Sequence, residues 1–164
     1  MTQDTSTVWL PFYLRDHMAG ATAGVNLFRR VAGGHSDYEV RTQVARLSTQ
    51  IQQDRSALGK IMTDLGIRQI SFTMLAGVLG ELVGRFKPNG HLTTRSPGAD
   101  VLELEVLTAA VQGKARLWET LLALAEKDPR LDTDQLRDLS ERATDQRDTL
   151  LQLHTRLVHT LPAQ

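Results

Sequence analysis

Four polar residues stand where a helical chain would otherwise place apolar side chains: His17, Asp54, Lys114 and Gln146. Each interrupts a stripe of 3–4-residue spacing, the period of one helical face. The stripes read Leu10, Leu14, His17, Ala21; Leu47, Ile51, Asp54, Leu58; Leu107, Val111, Lys114, Trp118; and Leu139, Ala143, Gln146, Leu150. An ammonium taken out of water needs a paired, hydrogen-bonded partner. Asp54 is that partner for Lys114, and His17 and Gln146 can fill the remaining donor and acceptor positions. Asp16 and Asp145 sit at the stripe edges and could reach in. Glu103, three turns before Lys114, belongs to a separate polar level. Three chemistries suit such a layer. It can fix helix register as a buried ion-pair network. It can hold a small ligand or a metal. Alternatively, a lysine deprotonated by burial can act as a base or attack a carbonyl, although an adjacent carboxylate favours the charged, unreactive ammonium.

Other chemistries lack their parts. The chain has no cysteine, which removes thiolate metal sites, cysteine nucleophiles and disulfides. No G-x-S-x-G elbow is present, and nothing in the sequence brings a Ser, a His and an Asp together as a triad. His154 and His159 are five residues apart and point about 140° away from each other on a helix, so they are not a metal pair. His35 falls in a turn and His91 in a loop, where solvation is expected. Nineteen basic residues balance nineteen acidic ones. That neutrality gives no phosphate-binding excess for nucleic acid and no attraction to an anionic membrane. Arg29 and Arg30, late in a helix, complement its dipole. The polar N-terminus does not read as a secretory signal, and Gln69–Gly80 is the longest charge-free stretch near the apolar maximum, far short of the ~20 residues of a span. The expected location is cytoplasmic.

The elements that position the four residues follow from the same periodicity. With 164 residues, 5% aromatics and abundant Leu, Ala, Gln, Glu and Arg, the expectation is a single all-α domain spanning residues 1–164. Helices are expected over about 10–33, 37–66, 71–87, 97–127 and 133–161. Gly33-Gly34, Gly66, Lys87-Pro88-Asn89-Gly90 and Asp128-Pro129 supply the stops. Ser36-x-x-Glu39 reads as a capping box, Ser96-Pro97 as a cap with a first-turn proline, and Asp132 or Thr133 as the start of the last helix. Short turns make two antiparallel hairpins, joined by a crossover that contains the short helix 71–87: a four-helix bundle with one long connection. His17 lies 17 residues before Gly34 and Asp54 lies 20 after it; Lys114 and Gln146 each lie 16 from Arg130. At ~1.5 Å per residue these counts put each pair near one level. Gly20-x-x-x-Gly24 and Ala76-x-x-x-Gly80-x-x-x-Gly84 are small-residue lines that favour close helix packing. The mostly apolar helix 71–87 is the candidate homodimer face.

This arrangement resembles the ferritin-like superfamily, whose bundles turn carboxylates and Glu-x-x-His pairs inward around two metals. The resemblance rests on helix order and on the mid-helix polar residues His17, Asp54, Lys114 and Gln146. It implies a ferritin-like fold and raises iron or manganese as an alternative cofactor. No Glu-x-x-His occurs in the chain, and Lys114 would put an ammonium where the cation belongs, so no metal ligand is carried over and no cofactor is expected. The run Tyr13-Leu14-x-Asp16-His17-x-Ala19-Gly20-x-x-Ala23-Gly24 is also similar to the opening of an uncharacterised bacterial helical family, which implies no activity. The expected function is that of a non-catalytic bundle acting through self-association or a protein partner. The alternative is a metal- or small-ligand-binding ferritin-like protein using the polar layer.

Overall fold

The computed structural model describes residues 9–68 and 97–161. Those residues form four α-helices: α1 (Trp9–Gly34), α2 (Tyr38–Asp64), α3 (Pro97–Ala125) and α4 (Thr133–Thr160). At 26 to 29 residues, each is ~40 Å long. The expected helix 71–87, its small-residue line and His91 lie outside the described residues. No strand occurs among the described residues, and no helix there is long and apolar enough to cross a membrane.

The helix ends have local causes. The capping box expected at Ser36 is displaced by one residue: Asp37 is the N-cap of α2, and its carboxylate accepts the Val40 N–H at 2.9 Å. Ser36 is committed elsewhere, donating its hydroxyl to Asp100 Oδ2. Asp132 caps α4 by accepting from the N–H groups of Asp134 and Gln135. Past α2, Leu65 is the C-cap and Gly66 follows at φ 72°. Gly66 N–H then reaches Thr63 O at 2.9 Å and Ile67 N–H reaches Met62 O at 2.8 Å. This is a Schellman ending, which requires the left-handed conformation that glycine adopts freely.

Helices α1 and α2 pack along their length as one hairpin and α3 and α4 as the other; α1 then meets α3, and α2 meets α4. Two polar contacts fix the directions. His35, in the first turn, meets the start of α3 at Asp100, and Arg130, in the second turn, reaches Leu65 O just past α2. Helices α2 and α3 therefore run the same way. The interior divides into two apolar clusters. One gathers around Trp118 with Leu14, Met18, Leu58 and Leu136. The other gathers around Phe28 with Val44, Ile51, Leu107 and Leu153. Removing this much apolar surface from water, at roughly 25 cal/mol per Å², is what chiefly holds the bundle together.

Candidate functional site: a charged layer beneath an apolar groove

The boundary between the two clusters falls between Ile51 and Leu58 on α2, between Val111 and Ala115 on α3, and between Ala143 and Leu150 on α4. Asp54, Lys114 and Gln146 occupy those three gaps, because a polar residue in each apolar stripe has nowhere else to go once the stripes face inward. Asp54 and Gln146 are each 1% exposed. The Lys114 ammonium donates to Asp54 Oδ2 and to Gln146 Oε1. The Gln146 amide donates to Gln50 Oε1 at 3.0 Å and to Asp54 Oδ2 at 3.3 Å. Arg142 closes the layer, its guanidinium forming an ion pair with Asp54 Oδ1. Burial pulls the Lys114 pKa below its usual 10.5; attraction to Asp54 opposes this and the nearby Arg142 charge adds to it.

The structure thus brings Lys114, Asp54 and Gln146 together and leaves His17 out. On α1 the division between clusters falls between Met18 and Val25, so His17 lies on the Trp118 side of the layer. Its half-buried ring meets the Tyr13 ring edge-on, centroids 4.5 Å apart. Burial lowers its pKa from 6.5, against the pull of Asp16. Counting residues from a turn does not set the stagger of two helices, which is why the level read for His17 differs. Asp16 and Asp145 are exposed, and Glu103 faces Arg30 at 3.7 Å. Arg142 and Gln50 belong to the layer without having been read from the sequence. Arg142 could have been found, because it precedes Gln146 by four residues and shares its face.

Above the layer, between α1 and α3, lies a groove of about 470 Å³ whose base is formed by Asp54 and Leu58 of α2. Its walls are small and apolar: Gly20, Ala21 and Gly24 on α1, Ala109, Ala110 and Gly113 on α3. Among the described residues, no close packing is made at Gly20 or Gly24. A Cβ built at Gly20, Gly24 or Gly113 would meet nothing within 4 Å among the described residues. Among the described residues, these glycines line a groove between α1 and α3. Lys114, His17 and Trp118 also line it. The Trp118 indole N–H is buried and has no hydrogen-bond partner among the described residues, although a buried indole donor ordinarily finds one.

A second polar cluster sits at the first turn. His35, expected to be solvated, is 1% exposed. It is covered because its ring bridges the hairpins: Asp37 N–H donates to Nδ1 at 3.1 Å and Nε2 lies 3.3 Å from Asp100 O. His35, Asp100 and Glu103 bring their ligand atoms within 4.8 Å of one another. The protonation pattern argues against a metal there. An Nδ1 that accepts a backbone N–H leaves the proton on Nε2, the nitrogen that would have to coordinate. The cluster is a latch between the first turn and α3.

Comparison of the chain with protein-family models, with curated proteins and with solved structures finds no match. The fold and the site therefore define the protein only as an all-α bundle of four described helices, with a buried ion-pair layer opening onto an apolar groove.

Proposed function

We propose that the protein is a non-catalytic binding bundle, and that the α1–α3 groove receives a small ligand with an apolar body. The observation that carries this reading is the groove itself. Its volume and its largely apolar lining, with polar groups at the base and along the edges, are those of a ligand site. The polar layer is its floor: Lys114 and Asp54 hold the two hairpins at a fixed spacing, so that the walls stay apart. The ammonium of Lys114 donates to a carboxylate and an amide, which supports a role as an ion-pair partner over one as a nucleophile. A ferritin-like architecture is supported by the parallel run of α2 and α3. The metal chemistry of such bundles does not fit, because Lys114 and Arg142 already occupy the charge positions around Asp54. Self-association through residues 71–87 and a cytoplasmic location belong to the same proposal.

The test is titration with the neutral apolar dye N-phenyl-1-naphthylamine. Binding is expected with about one site per chain, together with energy transfer from Trp118 in a Trp9→Phe background. A Cβ at Gly20 or Gly24 meets nothing within 4 Å among the described residues, so Leu at both positions is expected to project into the groove. The Gly20→Leu, Gly24→Leu protein should keep its helical circular dichroism and lose the dye. Equal binding by wild type and this filled variant, or no binding by wild type, removes the proposal.

A further inference from the structure

We infer that the groove selects an amphipathic carboxylate: an alkyl or aryl body along the α1–α3 walls and one carboxylate head at Lys114 and Trp118. This inference rests on the groove being a ligand site, and it adds the chemical class of the ligand. Three observations carry it.

The first is charge. Among the described residues the layer holds two cations, Lys114 and Arg142, against one carboxylate, Asp54. Asp54 Oδ2 accepts from Lys114 and Gln146, while Oδ1 is ion-paired with Arg142 but accepts no hydrogen bond among the described residues. Arg142 is not on the groove lining, so the layer's cation that faces the apolar walls is the Lys114 ammonium, where charge interactions are strong. A cationic ligand is repelled by it.

The second is donors without acceptors. Of the three ammonium protons of Lys114, two go to Asp54 and Gln146, and the side chain lines the groove. Trp118 is also a lining residue of the groove, and its N–H, buried behind that lining, has no acceptor among the described residues. Both groups donate, and both ask for an oxygen.

The third is placement. Lys114 and Trp118 are four residues apart on α3, so their side chains are neighbours on one face. A carboxylate offers two oxygens, one for each donor. The remaining charged groups on the groove are already committed. Arg30 faces Glu103, and Arg55 donates to Thr22 Oγ1 at 2.9 Å. Asp16 is exposed at the rim. His17 has its charged form disfavoured by burial.

The experiment is displacement of N-phenyl-1-naphthylamine by decanoate, decanol and decylamine, which share an apolar chain and differ in head group. Decanoate is expected to displace the dye at about tenfold lower concentration than decanol, the scale of one charge-assisted hydrogen bond, with decylamine weakest. Trp118→Phe keeps a ring in the core and removes the N–H; it should narrow the preference several-fold. Lys114→Met removes the ammonium that lines the groove and should bring decanoate down to the level of decanol. If decanol competes as well as decanoate on wild type, the carboxylate inference is overturned and the groove reading stands. If the dye itself does not bind, because residues 69–96 or a second copy fill the groove, both are overturned.

Discussion

At the scale of single residues, Asp54 is the charge on which the layer turns, because two hydrogen-bond donors and the Arg142 guanidinium converge on it. Removing it leaves Lys114 and Arg142 facing each other with no carboxylate, and breaking a buried pair in this way costs about 3–5 kcal/mol. Lys114→Met is milder, since Asp54 keeps Arg142 and the Gln146 amide; about 1.5–3 kcal/mol is expected, the scale of a hydrogen bond to a charged group. The double variant with Asp54→Leu should recover part of the loss. Arg142, already 34% exposed along its side chain, can turn its guanidinium to water. Urea midpoints of the two single variants and the double variant measure this. Strict additivity of the two changes would mean that the residues are not coupled. The pairing of Lys114 with Asp54 was legible in the sequence, because an interrupted apolar stripe has only one physical resolution. The position of His17 was not, since the stagger of α1 against the rest depends on side-chain packing that no residue count contains. Arg142 was hidden for a different reason: a long cation beside a stripe reads as solvated until a buried carboxylate draws it in.

At the scale of elements, two glycines of α1 and the glycine after α2 make opposite demands. Gly66 sits at φ 72°, where a side chain is strained. Gly20 and Gly24 lie inside α1 with open space where a Cβ would go. Gly66→Ala is therefore expected to lower stability by about 1 kcal/mol, and Gly20→Ala to raise it by up to about 1 kcal/mol through helix propensity. Thermal melting of the two variants checks the signs; destabilisation by Gly20→Ala would mean that the groove wall is packed against something. The helix ends were readable for the same physical reasons that make them form. Gly66 and the Asp132 cap stand where sequence logic puts them. Ser36 and Asp37 were not separable by sequence, because both side chains can cap a helix. What decided between them is tertiary: Asp100 of α3 takes the Ser36 hydroxyl and Arg156 of α4 joins the Asp37 carboxylate at 2.7 Å. His35 was misjudged on similar grounds, since a turn is solvated only if no other element covers it.

At the scale of the whole molecule, the two hairpins are held by the layer, by the latch at His35 and by the Asp37–Arg156 link, and acid weakens the assembly in two stages. The folded chain holds His17 with a pKa below 6.5, chiefly through burial, so the unfolded chain binds that proton more readily. Stability must then fall as pH drops below 6.5 and level off once the folded value is passed. Asp37 behaves differently. The hydrogen bond from Arg156 holds its carboxyl below 3.8, so its contribution is complete above that value and is lost as pH falls through the lower folded one. Its partner belongs to α4, which makes this second loss a loosening of one hairpin from the other. Melting temperatures from pH 7.5 to 2.5 separate the stages. Between pH 7 and 5 wild type should lose more stability than His17→Gln, which has no proton to gain there. Below pH 4 wild type should lose more than Asp37→Asn, which keeps a capping side chain but has no charge to neutralise. Parallel curves for wild type and His17→Gln over the upper range would mean that the imidazole is as free to ionise in the folded bundle as in the open chain. That result would remove His17 from the set of buried groups on the groove.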